Sequence, residues 1–218
     1  MVKIIGVTGG IASGKSLVIE ILKELGVKTI DCDEIAKDVM MRGNSAYDEI
    51  IEKFGKQITL ADGQIDRKKM ASIVFENKDK LLDLNEATHK YVYGKLKELI
   101  QEFKQKDKCQ IASGNIGETI SVLAIEASVP DERFTKITDE IWTVVSDTKS
   151  RINRILCRDK LGYDKAIKRI EAQKTDEEYI KMANFVVFND GNKEQLKKRV
   201  ISLYNSFERS INRINKGD

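Results

Sequence analysis

Gly9, Gly14, Lys15 and Ser16 are spaced as Gly-x4-Gly-Lys-Ser inside the stretch IIGVTGGIASGKS, residues 4–16. A loop that wraps a phosphate needs positions without Cβ, so that successive backbone N–H groups can turn inward as an anion nest; Gly9, Gly10 and Gly14 meet that need. A helix opening after the loop adds the positive end of its dipole. Lys15 can then reach the β and γ phosphates, and the Ser16 hydroxyl can ligate a magnesium ion that bridges them. Ile11, Ala12 and Ser13, with Leu17 behind the motif, complete the candidate nucleotide-binding segment. The bland alternative is a glycine-rich strand-to-helix turn that binds nothing. Its flanks argue against that: residues 2–7 read as a buried strand, and Leu17, Val18, Ile21, Leu22 and Leu25 recur at helical spacing, with Gly26 as a stop.

Two carboxylates follow at Asp31 and Asp33, just after a short β-like run at residues 27–30. At the carboxyl end of a strand they project toward the crevice where open parallel sheets bind ligands. There a carboxylate could accept a proton from a substrate hydroxyl or help to hold magnesium. Asp31 could equally cap the helix starting near Glu34. The single histidine, His89, lies within a helical pattern, where a structural role is the commoner one. A basic run, Lys149, Arg151, Arg154, Arg158, Lys165, Lys168 and Arg169, has the spacing of a solvated helix face. Its place after a fourth strand also suits arginines on a mobile lid that neutralise a transferring phosphoryl group.

Elements must exist to position these groups. Strand-like runs at residues 2–7, 27–30, 120–125, 141–145 and 185–188 are separated by helical stretches, the alternation of a parallel sheet covered on both faces. Residues 34–106 are helical in pattern, ending in a long amphipathic segment from about residue 78. The expected fold class is therefore α/β: a five-stranded, doubly wound parallel sheet (1–33, 109–146 and 183–218), with a helical insertion (34–108) and a lid (147–182) in one 218-residue domain.

Composition narrows the function classes. With 41% hydrophobic and 33% charged residues, the chain is an ordinary globular protein. Its 38 basic residues are interspersed with 35 acidic ones, which does not suggest general affinity for nucleic acid or a membrane surface. No run of about 18 apolar residues and no signal-peptide layout is seen, so a cytoplasmic protein is expected. Cys32, Cys109 and Cys157 are far apart and lack metal-ligand spacing, so neither disulfide nor zinc is expected.

Taken in order, GVTGGIASGKS, DCDEIAKDV, ADGQIDRKKMASIVF, NEATHK, RILCRDK, RIEAQ and ANFVVFNDG resemble the dephospho-CoA kinase family over nearly the whole chain. That resemblance implies a P-loop kinase core with a helical substrate region and a lid. It also implies an activity: ATP and Mg2+ used to phosphorylate the ribose 3′-hydroxyl of dephospho-CoA, the last step of coenzyme A synthesis. Carried over by position, the general base falls on Asp33, with Asp31, Arg67 and His89 toward the substrate. The phosphate-loop roles fall on Gly9, Gly14, Lys15 and Ser16, the lid roles on Arg154 and Arg158, and a contact near the nucleotide base on Asn189. The chain departs from the family pattern at Lys37 for Arg, Lys90 for Pro, Asn184 for Asp, and Ile125-Glu126-Ala127-Ser128 for Asp-x-Pro-Leu-Leu, where Glu126 could supply the carboxylate. Residues 109–119 also form a longer approach to strand three. A nucleoside monophosphate-type kinase and a non-catalytic nucleotide-binding paralogue stay open as alternatives, as does a monomer or a small homo-oligomer.

Overall fold

The computed structural model describes residues 2–112, 122–160 and 162–216. Its strands are β1 (Lys3–Thr8), β2 (Lys28–Asp31), β3 (Val122–Glu126), β4 (Glu140–Val145) and β5 (Phe185–Phe188). Its α-helices are α1 (Lys15–Glu24), α2 (Cys32–Val39), α3 (Tyr47–Phe54), α4 (Arg67–Glu76), α5 (Lys78–Ala112), α6 (Glu132–Ile137), α7 (Thr148–Asp159), α8 (Tyr163–Glu171), α9 (Asp176–Met182) and α10 (Lys193–Lys216). Contacts divide the chain into two compact units, Met1–Asp31 with Lys104–Asp218, and Cys32–Phe103.

The first unit is built on one all-parallel sheet in the order β2-β3-β1-β4-β5. Parallel strands are joined by helical crossovers, which cover both faces and make the strands apolar throughout. On one face Ile5, Val7, Ala124, Trp142, Val144 and Val187 pack against Val18, Ile21 and Leu22 of α1 and Leu196, Val200, Phe207 and Ile211 of α10. Each such large side chain contributes about 1.5–3 kcal/mol by leaving water. On the other face Gly6 lies under α6, where a Cβ would come within 2.6 Å of the Phe134 ring. The Thr143 hydroxyl there donates to the Tyr179 carbonyl of α9 at 3.1 Å. Helices thus cover both faces, the doubly wound arrangement expected from the alternation. The connection after β1 runs to one side of the sheet and that after β3 to the other, which opens the ligand crevice at the carboxyl ends of these two strands.

Boundaries moved slightly. β1 and β2 extend to Thr8 and Asp31, and β4 starts at Glu140 because its backbone pairs with Ile5 although its side chain is polar. The expected strand start at Ile120 lies outside the described residues, as does the long approach at 109–119 beyond Ala112. Asn184, which stands where an aspartate was expected, keeps the acceptor: its Oδ1 takes the Ile141 N–H at 2.7 Å.

The second unit is helical, with Ile50, Ile58, Ala87 and Leu96 at its centre. Asp66 caps α4 by accepting from the Lys68 and Lys69 N–H groups. A short antiparallel bridge, Thr59 with Ile65, closes the turn before it. Lys90 stands where the resemblance leads to a proline, a residue that would remove a backbone N–H inside the helix. α5 runs through the position unbroken, and Lys90 Nζ pairs with Glu49 of α3 at 2.6 Å. Among the described residues no helix is long and apolar enough to cross a membrane.

Candidate functional site

Residues 9–14 link the buried strand β1 to α1, and Gly14 occupies the helix N-cap at φ 107°. Gly14 has no side chain to cap α1, so among the described residues its first N–H groups are not taken by an N-cap side chain. A Cβ at Gly14 would lie 2.1 Å from Asn189 Nδ2, and one at Gly10 would lie 2.3 Å from Arg151 Nη2. The glycines thus admit side chains that close on the loop, besides shaping its backbone. Lys15 is buried, and its Nζ donates to the Gly9 and Gly10 carbonyls at 3.0 and 3.3 Å, holding the ammonium over the loop. The Leu17 N–H closes the first turn on the Gly14 carbonyl at 3.1 Å, and the Leu17 side chain packs on the core.

Ser16 Oγ donates to Glu126 Oε1 at 3.2 Å. Glu126 is the last residue of β3 and nearly buried. Asp31 pairs with it in register at the end of β2, and parallel neighbours in register share a face of the sheet. Glu126 thus places a carboxylate at the end of β3, beside the hydroxyl read as a magnesium ligand. One hydroxyl and one carboxylate are hard oxygen donors, the kind Mg2+ takes in ones and twos together with phosphate oxygens and waters. Among the described residues, no group of three or more His, Cys, Asp and Glu residues could hold a metal by itself.

Arginines and an amide close the other side of the loop. Arg154 Nη1 donates to the Ala12 carbonyl at 2.9 Å and to Ser146 Oγ at 3.0 Å, and its Nη2 donates to the Asn189 carbonyl at 3.0 Å. Asn189, buried after β5, donates from Nδ2 to the Ser13 carbonyl at 2.7 Å. Both residues expected near the nucleotide therefore touch the loop's own backbone. Arg151 is 3% exposed, with Nε on the Ile11 carbonyl at 3.0 Å and Nη1 on Asp176 at 3.0 Å. Among the described residues its Nη2 and the Ser13 hydroxyl are buried without hydrogen-bond partners, two donors at the loop that fit an anion. Gln173 Oε1 accepts the Ile11 N–H at 2.5 Å. Arg158 lies elsewhere on α7, exposed, with its guanidinium on Asp159, which also takes Arg169. The Arg158 hydrogen bond is the largest influence holding the Asp159 carboxyl below its ordinary range, and the charges of Arg158 and Arg169 add to it.

Asp33 sits in the first turn of α2, directly after the end of β2. Within the helical unit, Arg67 at the start of α4 donates from Nη2 to the Lys37 carbonyl of α2 at 2.9 Å, which brings it to the helix that carries Asp33. Lys37 itself pairs with Glu34 one turn earlier. His89 is half-buried on α5 and meets the Tyr93 ring edge-on at 6.5 Å. A cavity of about 320 Å³ lies along α5, lined by residues that include Asp38, Asn44, Lys90, Tyr91 and Gly94. Arg151 and Gln173 are the residues that motif reasoning gave no individual role. Arg151 is indistinguishable in a basic run from solvated neighbours, and Gln173 meets its partner across 162 positions, which no local pattern reports.

A family model for dephospho-CoA kinase matches residues 3–195. The dephospho-CoA kinase of Carboxydothermus hydrogenoformans is 40% identical over 92% of this chain and 92% of its own length. That of Fusobacterium nucleatum is 43% identical over 91% and 95%. Among solved structures, the dephospho-CoA kinase of Campylobacter jejuni superposes with a TM-score of 0.64 at 25% identity, covering 100% of this chain and 99% of that one. The motifs that resembled this family thus extend into similarity along almost the full sheet and both helical regions, and the chain belongs to the dephospho-CoA kinase family.

Proposed function

We propose that this chain transfers the γ-phosphoryl group of ATP to the ribose 3′-hydroxyl of dephospho-CoA, giving CoA and ADP. The observation that carries the reading is the phosphate loop of a dephospho-CoA kinase family member, set at the carboxyl ends of β1 and β3 with Ser16 on Glu126. In this reading the loop N–H groups and Lys15 bind the triphosphate, and the uncapped start of α1 adds its dipole. Ser16 and Glu126 would hold Mg2+, which when bound neutralises charge on the phosphate oxygens. Asp33 accepts the proton of the attacking hydroxyl. Asp31, Arg67 and His89 belong to the acceptor side, and the cavity along α5 offers room for part of the acceptor. Arg154 and Asn189 hold the loop in shape, and Arg158 is the lid cation that meets the transferring group. The reading extends to a cytoplasmic enzyme, a monomer or small homo-oligomer, that acts on small molecules alone; the near balance of basic and acidic residues supports the last part, since it gives no general affinity for nucleic acid or a membrane surface.

A coupled assay of ADP release with dephospho-CoA, AMP and shikimate as alternative acceptors tests it. Turnover with dephospho-CoA well above the other two is the expected result. Preference for AMP or shikimate would overturn the acceptor assignment. ATP binding without transfer to any of them would turn the reading toward a nucleotide-binding paralogue.

A further inference from the structure

Ala12 adopts φ +59°, a left-handed conformation that crowds its Cβ and that non-glycine residues rarely take. The peptide groups around it are held from outside the loop. The Ile11 N–H goes to Gln173 Oε1 at 2.5 Å and the Ile11 carbonyl to Arg151 Nε at 3.0 Å. The Ala12 carbonyl goes to Arg154 Nη1 at 2.9 Å. The side chains of Ile11 and Ala12 pack on a small apolar cluster of Ile152, Ile155 and Ala166, from α7 and α8. Arg151 is in turn fixed by Asp176 at the start of α9. One strained residue at the middle of the phosphate loop is therefore gripped on both sides by the segment that follows β4.

We infer that Gln173, together with Arg151, is a positioning residue that imposes the left-handed turn at Ala12, and with it the inward set of the loop N–H groups that receive the triphosphate. Gln173 holds the Gly10–Ile11 peptide by its N–H and Arg151 holds the Ile11–Ala12 peptide by its carbonyl, so the peptide planes on both sides of Ile11, the second of which sets φ of Ala12, are fixed. Alternating right- and left-handed residues are what make successive N–H groups converge on an anion. Without the grip, an alanine at this position relaxes toward negative φ and the convergence is lost. The inference rests on the phosphate-loop part of the proposed function and not on the identity of the acceptor.

The test uses the strain itself as the reporter. ATP affinity is measured by titration calorimetry, alongside a thermal melt, for the full chain, Gln173→Ala, Ala12→Gly, and the double variant. We expect Gln173→Ala to weaken ATP binding by about tenfold, the order of effect of a lost hydrogen bond to a positioned group. In the Ala12→Gly background the Gln173→Ala change should cost much less, within about threefold of Ala12→Gly itself, because glycine takes positive φ without Cβ crowding. Gln173→Asn, which keeps the amide but is one methylene short, should behave like the alanine variant if the latter fails to fold. Unchanged ATP affinity in both Gln173 variants would overturn the proposal. So would an equal loss in the Ala12→Gly background, which would reduce Gln173 to a packing role. A different acceptor in the transfer assay leaves these affinities as they are, so the two readings fail separately.

Discussion

Ser16 Oγ donates to Glu126 Oε1 at 3.2 Å, joining the first turn of α1 to the last residue of β3. The two residues are 110 positions apart and meet because β1 and β3 are parallel neighbours, with Val7 in register with Glu126. Among the described residues this carboxylate meets the hydroxyl read as a magnesium ligand. Glu126→Gln keeps an oxygen for Ser16 and removes the charge. We expect turnover at limiting Mg2+ to fall by roughly tenfold or more, with a higher Mg2+ concentration needed for half-maximal rate. Initial rates across a magnesium titration at saturating ATP and acceptor check this. An unchanged magnesium dependence would take Glu126 away from the metal.

Lys15 and Arg158 carry opposite kinds of evidence. Lys15 is buried on the loop carbonyls, so Lys15→Ala should abolish turnover while the fold survives, its charge being aimed at phosphates and not built into the apolar core. Arg158 is exposed and paired with Asp159, an arrangement it must leave to meet a transferring phosphoryl group. Arg158→Ala should lower turnover by one or more orders of magnitude with little change in melting temperature, as expected for a transition-state cation. If only the melting temperature moves, Arg158 is part of a solvated helix face.

The reach of sequence reasoning here has a physical boundary. Phe185–Phe188 was legible residue for residue because a short β-branched and aromatic run between helical patterns has few other uses. Glu140 was missed at the start of β4 because membership of a ladder is decided by backbone pairing, which a polar side chain hides. α5 runs past the expected end at 106 to Ala112, since no glycine or proline interrupts it there. At the site, the loop itself was legible because anion binding by backbone requires glycine at set spacing. The contacts of Arg151, Gln173 and Asn189 on that loop were not, because each joins segments more than 130 positions apart and depends on the sheet order.

Glu140 gives a pH prediction. It is half-buried on the face of Trp142, whose indole N–H it accepts at 2.9 Å, and burial raises its carboxyl pKa above the ordinary value. At low pH both folded and unfolded states hold the proton, and its contribution to stability is fully present. As pH rises, the unfolded chain releases its proton first, so stability declines from the ordinary glutamate value up through the raised folded value and stays lower above it. Glu140→Gln keeps an acceptor for the indole and removes this titration. Denaturant midpoints should be higher than the parent's at pH 7.5, and the gap should close below pH 4. A gap of constant size across pH would assign the effect to packing.

Asp33 lies in the first turn of α2, two residues after Asp31 ends β2. Asp33→Asn preserves size and most hydrogen bonding but cannot accept the proton of an attacking hydroxyl. We expect phosphoryl transfer to slow by roughly a hundredfold or more, the usual range for a lost general base, with ATP affinity nearly unchanged. A helix-capping role would instead appear as a lower melting temperature at normal rate, since acidic groups in a first turn also stabilise a helix. A metal role would appear as a loss rescued by excess Mg2+. The measurement is a single-turnover rate at saturating ATP and dephospho-CoA across pH, with a thermal melt and a magnesium titration on the same protein. A parent-like single-turnover rate, or full recovery at high magnesium, would remove Asp33 from proton transfer and leave that step to another carboxylate, with Asp31, two residues earlier, the first to test.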